Sequence, residues 1–321
     1  MDFSKEQLLS AYRKMVQIRE FEERIHRENT KGHISGFVHL YAGMEAIAVG
    51  VCENLTDNDK IASTHRGHGH CIAKGCDINL MMAEIFGKET GLCGGKAGSM
   101  HIADLQKGML GANGVVGAGA PLALGAALTA KSTNSGNIAV TFLGDGAANE
   151  GIVFESLNLA VVLNLPVIFL IENNGYGEAT ANSYAAGNED LAGRASAFGM
   201  PAEQVDGTDF YAIYNSVKKA VDLARSGAGP SVIETIHVTR WFGHYEGDPQ
   251  LYRKRGEIKD LRTNRDPLKI FRSKTGQKVS PEEFEIVNRD VKMQIDAAVE
   301  FAMTSPPPSL DTLVSDVYLT Y

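Results

Sequence analysis

The sequence predicts an α/β fold with a mostly parallel central sheet and helices on both faces. Two apolar, β-rich runs carry the prediction, IAVTFL (138–143) and VIFLI (167–171). Each ends at a Gly/Asp/Asn cluster, Gly144-Asp145-Gly146 and Asn173-Asn174-Gly175, as buried parallel strands do. Between them, Ile152, Leu157, Leu159, Ala160 and Leu163 recur at helical spacing over 148–163. The unit reads strand, turn, helix, strand. A right-handed crossover sets the C-terminal ends of both strands on one sheet edge, where open α/β sheets bind ligands. Asp145 and Asn174 sit at those ends.

The remaining elements follow in order. Residues 5–30 predict an amphipathic helix, with Leu8, Leu9, Tyr12, Met15, Val16, Ile18, Phe21 and Ile25 on one side. A helix is expected over 43–54 and a strand over 60–63, followed by a loop rich in His and Gly. Residues 78–86 are expected to be helical and 87–114 to be a long Gly-rich segment of functional type. Residues 117–130 form a helix of small residues, suited to close approach and to a subunit contact. A strand over 203–205, a helix over 210–225, a strand over 231–239, a polar and aromatic loop over 240–266 and a helical region over 281–304 complete the chain. No repeat or linker divides it, so 1–321 is read as one domain.

Composition excludes several classes. The net charge of −8 argues against a nucleic-acid surface or an anionic membrane. No apolar run reaches the roughly 18 residues of a membrane span, and the start, MDFSKEQLL, does not read as a signal peptide. Cys52, Cys71, Cys76 and Cys93 form no CxxC pair, so reduced thiols in a cytoplasmic protein are expected.

The chemistry concentrates at the sheet edge. Gly144 and Gly146 let backbone approach phosphate oxygens, and a following helix offers free N–H groups. A bare Asp would repel a diphosphate. Asp145, the Asn174 amide oxygen and a carbonyl are instead hard ligands for Mg²⁺ or Ca²⁺, which bridges protein and diphosphate. Upstream, His39, His65, His68, His70 and His101 are placed in loops that also hold Arg66, a planar fork for phosphate. A near P-loop, Gly94-Gly95-Lys96-Ala97, lacks the Ser/Thr and the first Gly that motif needs. No GxGxxG with a downstream acid follows a strand, which disfavours a dinucleotide enzyme.

The GDG…NN pair matches the thiamine diphosphate signature. With FVHLYAGMEA (37–46), STHRGHGHCIAKG (63–75), GLCGGKAGSMHIAD (91–104), GANGVVGAGAP (111–121) and WFGHYEGDPQLYR (241–253), the chain resembles the alpha subunits of the thiamine-dependent component of 2-oxoacid and acetoin dehydrogenase complexes, most nearly the acetoin type. The resemblance implies the thiamine diphosphate-binding fold, with thiamine diphosphate and Mg²⁺ as cofactors. It places His65, Arg66, Gly114, Val116, Gly144, Asp145, Gly146, Ala147, Asn174 and Tyr176 on the cofactor. Asp145, Asn174 and the Tyr176 carbonyl would be metal ligands. Position 65 is commonly Tyr in the family. The catalytic candidates are His39, His68 and His244, the last on a loop that reaches the reactive carbon. The Glu that activates the cofactor is implied to come from a beta subunit of an α₂β₂ tetramer, not from Glu45, and a lipoyl acyltransferase core to take the product. Pyruvate dehydrogenase activity, or a silent assembly role, are the alternatives.

Overall fold

The computed structural model describes residues 3–315 and 318, so the outermost ends of the unit expected over 1–321 lie outside the described residues. Helix α1, Lys5–Thr30, starts at a capping box in which Ser4 and Gln7 satisfy each other's backbone N–H groups. Then come α2 (Glu45–Cys52), β1 (Lys60–Ala62), α3 (His68–Lys74) and α4 (Ile78–Ile85). After β2 (Met109–Gly111) the chain forms α5 (Gly119–Ser132), β3 (Ala139–Gly144), α6 (Gly151–Val162) and β4 (Val167–Glu172). A small hairpin of β5 (Tyr176–Gly177) and β6 (Thr180–Ala181) precedes α7 (Asn182–Ala185) and α8 (Leu191–Ser196). The chain continues as β7 (Ala202–Asp206), α9 (Phe210–Arg225) and β8 (Ser231–Ile236). It closes with α10 (Glu257–Asn264), α11 (Pro267–Thr275) and α12 (Pro281–Thr304), the last entered through a second capping box at Ser280 and Glu283.

Six strands form one sheet in the order β2-β1-β3-β4-β8-β7, and all its pairs are parallel. Parallel strands are buried on both faces, and successive residues serve opposite cores. Val140, Phe142, Ile168 and Leu170 face one cluster, with residues of α1–α4, α9 and α12. Ala139, Leu143, Val167 and Phe169 face the other, with residues of α5, α6 and α8. Helices therefore cover both faces, as expected.

The structure corrects several sequence boundaries. The His/Gly stretch after β1 is not all loop, because it contains α3, stopped by Gly75 in the left-handed region (φ +93°). The long Gly-rich segment contributes the edge strand β2. The polar stretch 240–266 contains α10, and α11 follows it. After Gly146 a single 3₁₀ turn, Ala147–Asn149, precedes α6. The apolar positions of that helix divide. Leu157 and Ala160 are buried, whereas Ile152, Leu159 and Leu163 lie on the surface beside Val162. Helix α5 divides likewise, with Ala123 and Ala127 inside and Leu122 and Leu128 outside.

Helix α3 lies directly against the chain at Tyr41. A Cβ on Gly69 would sit 2.2 Å from the Tyr41 ring. Tyr41 is fully buried, so the ring has no free direction of retreat. Gly69→Ala is expected to destabilise the fold by about 1–3 kcal/mol through overpacking, seen as a lower denaturation midpoint. An unchanged midpoint would show that the α3–Tyr41 contact yields freely.

Candidate functional site

The C-terminal ends of β1, β3 and β4 open into a cavity of about 370 Å³. Its lining includes His39, His65, Arg66, Gly114, Val116, Gly144, Asp145, Gly146, Ala147, Asn174, Tyr176 and His244. All the site residues expected from sequence thus meet there, except His68.

His68 lies inside α3 and is fully buried. Its Nδ1 faces Glu22 Oε2 at 3.0 Å and its Nε2 faces Ser99 Oγ at 3.0 Å. Ser99 Oγ in turn accepts from the His39 backbone N–H at 3.3 Å. His68 therefore braces the segment that carries His39 and does not reach the cavity, which removes it from the candidate bases. His70 is also interior. It stacks on Phe142 at 3.7 Å and bonds Ser63 Oγ (2.7 Å) and Glu172 Oε1 (3.2 Å). Glu172, which also takes the Tyr41 hydroxyl, forms part of the cavity wall. His101 is exposed.

The metal candidates are positioned by the strand ends. Asp145 is 2% exposed, and its Oδ2 has no hydrogen-bond partner among the described residues. Burial pushes its carboxyl up to about 6, although the nearby Arg240 pulls the other way. Asn174 Oδ1 and the Tyr176 carbonyl both accept from Arg240 Nη1, at 2.6 and 2.9 Å. Two neutral oxygens thus already converge on a positive group. With Asp145 they make a hard oxygen set, and the orphaned Oδ2 fits a divalent cation.

Arg240 was not among the residues singled out from sequence. It follows β8 at the same sheet edge and is 1% exposed. A basic residue just past a strand end was the available signal. The hydrogen-bond acceptors of Arg66 are the Leu40 and His244 carbonyls (2.6 and 2.9 Å). Arg240 also donates to the Glu178 carbonyl (2.8 Å) and the Tyr252 hydroxyl (3.1 Å). None of these acceptors is a carboxylate. Burial, with Arg240 nearby, pulls Arg66 down to about 9. Two buried guanidiniums beside a Gly-rich turn constitute a demand for an anion.

The histidines line the remaining wall. His39 packs edge-on to His65 and His244, with centroids 4.7 and 4.9 Å away, and His65 lies 5.2 Å from His244. Backbone pairs hold their segments together: Trp241 N–H to the Ala42 carbonyl and Glu246 N–H to the Val38 carbonyl, each 2.9 Å. Gly43 (φ +102°) permits this approach, since a Cβ there would lie 2.5 Å from the Thr239 carbonyl oxygen. The His244 loop is ordered around Asp248, which accepts from the His244 N–H (2.6 Å), the Gln250 N–H (2.8 Å) and the Tyr252 hydroxyl (2.7 Å).

Two features set aside from sequence have structural tasks. Glu45 Oε1 accepts from Arg19 Nε (2.6 Å) and the Gly43 N–H (2.9 Å), and Glu45 is absent from the cavity lining. The loop resembling a P-loop wraps a carboxylate instead of a phosphate. Glu84 accepts N–H groups from Cys93, Gly95, Ala97 and Gly98 at 2.7–3.2 Å.

Burial, reinforced by the positive charge of Arg66, lowers His39 to about 3, His65 to about 2 and His244 to about 4. The unfolded chain binds these protons below about pH 6.5. The stability carried by the neutral rings is therefore complete above pH ~6.5 and is lost as pH falls towards these lower values. Asp145, with its folded pKa raised, acts in the opposite sense: its contribution is complete below about 3.9 and is lost as pH rises through about 6. His39→Gln should shrink the drop in unfolding free energy between about pH 7 and about pH 4.5, measured by denaturant titration. An equal drop in the variant would show that His39 does not carry it.

A family model described as "Dehydrogenase E1 component" matches residues 13–311. The alpha subunit of acetoin:2,6-dichlorophenolindophenol oxidoreductase from Cupriavidus necator is 53% identical, over 100% of this chain and 97% of that protein. Its namesake from Bacillus subtilis is 50% identical, over 100% and 96%. The pyruvate dehydrogenase E1 component subunit alpha of Zymomonas mobilis is 39% identical, over 98% and 89%.

Proposed function

The chain belongs to the dehydrogenase E1 component family, and we propose that it is the alpha subunit of a thiamine diphosphate-dependent acetoin dehydrogenase. The observation that carries the acetoin reading is the likeness along the whole chain to two acetoin oxidoreductase alpha subunits, at 53% and 50% identity against 39% for a pyruvate enzyme. The cofactor reading is supported by the donor set. Arg66, Arg240 and the turn Gly144-Asp145-Gly146 with Ala147 would hold the diphosphate. Asp145, Asn174 and the Tyr176 carbonyl would hold Mg²⁺. Gly114 and Val116, which line the same cavity, would address the aminopyrimidine. When bound, thiamine diphosphate supplies a carbanion that adds to a carbonyl and stores the electrons of C–C cleavage.

The chain's own part in the chemistry is proton transfer. Acetoin releases acetaldehyde, so a base must take the proton of its carbinol hydroxyl as the bond breaks. Pyruvate releases CO₂ and needs no such base. His39 and His244 are the candidates that reach the cavity, with His65 beside them. An anion on Arg66 and Arg240 would offset the positive charge these rings feel, the second cause of their lowering after burial. The family resemblance implies that the activating Glu would come from a beta subunit, and Glu45 is engaged by Arg19. The acetyl group passes to a lipoyl acyltransferase core in the cytoplasm.

Asp145→Ala should abolish thiamine diphosphate binding to the tetramer while leaving the fold intact, as read by calorimetry and circular dichroism. Unchanged cofactor affinity would sink the metal assignment. The chain by itself, saturated with Mg²⁺ and cofactor, should be inactive and should gain activity on mixing with its beta subunit. The tetramer should show the higher kcat/KM with acetoin. A preference for pyruvate of about tenfold, near 1.4 kcal/mol, would move the assignment to the pyruvate enzyme.

A further inference from the structure

We propose that His39, His65 and His244 form a binding site for one divalent transition-metal ion of the zinc class, chemically separate from the oxygen set at Asp145. The three rings come from segments far apart in the chain, and one ligand nitrogen from each lies within 4.8 Å of the other two. The ring planes meet at 60–83°, with His39 edge-to-face to the other two. Zinc binds imidazole nitrogen at about 2.0–2.1 Å in tetrahedral geometry, which places ligand nitrogens about 3.4 Å apart. The triad closes to that spacing by moving about 1.4 Å at most.

A second observation points to the same ligand. His39 is 5% exposed, and its Nδ1 is buried without a hydrogen-bond partner. Such an atom is unfavourable as it stands and is relieved by a lone-pair acceptor. Imidazole sets select Zn²⁺, Co²⁺, Ni²⁺ or Cu²⁺, whereas Mg²⁺ prefers oxygen. The two sets therefore sort metals by ligand softness. Arg66 and Arg240 oppose a cation here, so the site binds more weakly than a three-histidine site free of positive neighbours.

Three ligands from separate segments make such an ion a clasp. It would hold the His244 loop on the His39 segment and withdraw the imidazoles from proton transfer. Reversible inhibition by zinc follows, a consequence that rests on the proposed function. The binding test does not, because it uses no substrate. Co²⁺ is titrated into the full-length chain with Mg²⁺ present, and visible absorption is recorded. One equivalent per chain should give the bands of a tetrahedral nitrogen site. His65→Phe and His244→Phe should each weaken binding about tenfold or more, and His101→Gln should leave it unchanged. On the unaltered chain, Zn²⁺ should displace the bound Co²⁺ and remove its bands. Absence of a visible band at excess Co²⁺, a band surviving in both variants, a band that Zn²⁺ does not remove, or a thiolate charge-transfer band would overturn the proposal.

Discussion

The geometry of the site depends on Arg66. Its guanidinium donates to the Leu40 carbonyl through one nitrogen and to the His244 carbonyl through another, 178 residues further along the chain. It thereby ties the segment of His39 to the loop of His244 while standing in the cavity itself. The backbone pairs Trp241–Ala42 and Glu246–Val38 complete the joint. A buried guanidinium whose hydrogen-bond partners are carbonyl oxygens still favours an anion, though Glu22 and Glu172 offset part of its charge. The same residue therefore builds the pocket and biases what enters it.

The joint rests on a charged and aromatic frame behind the cavity. Arg19 pairs with Glu45 and Asp266 and lies 3.7 Å from the centroid of Trp241. Arg262 covers the same ring at 4.6 Å. Helix α1 thereby reaches α2, the N-cap of α11 and the loop after β8 at once. Removing one member of such a buried set is costly, because it strands the charge of another. Glu45 thus has a structural task in this frame. Below the cavity, Tyr41, His70 and Glu172 form a second buried set that ties α3 to the end of β4.

The surface of the single chain carries one more consequence of its sequence. Helices α5 and α6 bury one side in the core and leave Leu122, Leu128, Leu159 and Val162 outside, at 45–70% exposure. Apolar residues grouped on adjacent helices mark a contact with another chain more readily than a solvated face. That agrees with the assembly proposed above and explains why the helical periodicity of 148–163 overstates what the isolated chain buries.

Strands β3 and β4, the turn at Asp145 and the placement of Asn174 were legible in the sequence, because local patterns determine them: an apolar run, a glycine, a crossover. Long helices α1, α9 and α12 were legible for the same reason, their periodicity and caps lying within the segment. What the tertiary structure decided is which histidine faces the cavity. His65 and His68 stand three residues apart in one motif, yet His68 is claimed by Glu22 and Ser99 from distant segments, and His65 is not. Arg240 was hidden in the same way, since only the docking of the loop after β8 onto the sheet edge turns its side chain towards Asn174 and Tyr176. Edge strand β2, three residues long, takes its conformation from its pairing with β1 rather than from its own sequence. Local spacing determines elements, whereas the burial and partners of a polar side chain are set by segments that meet only when the chain has folded.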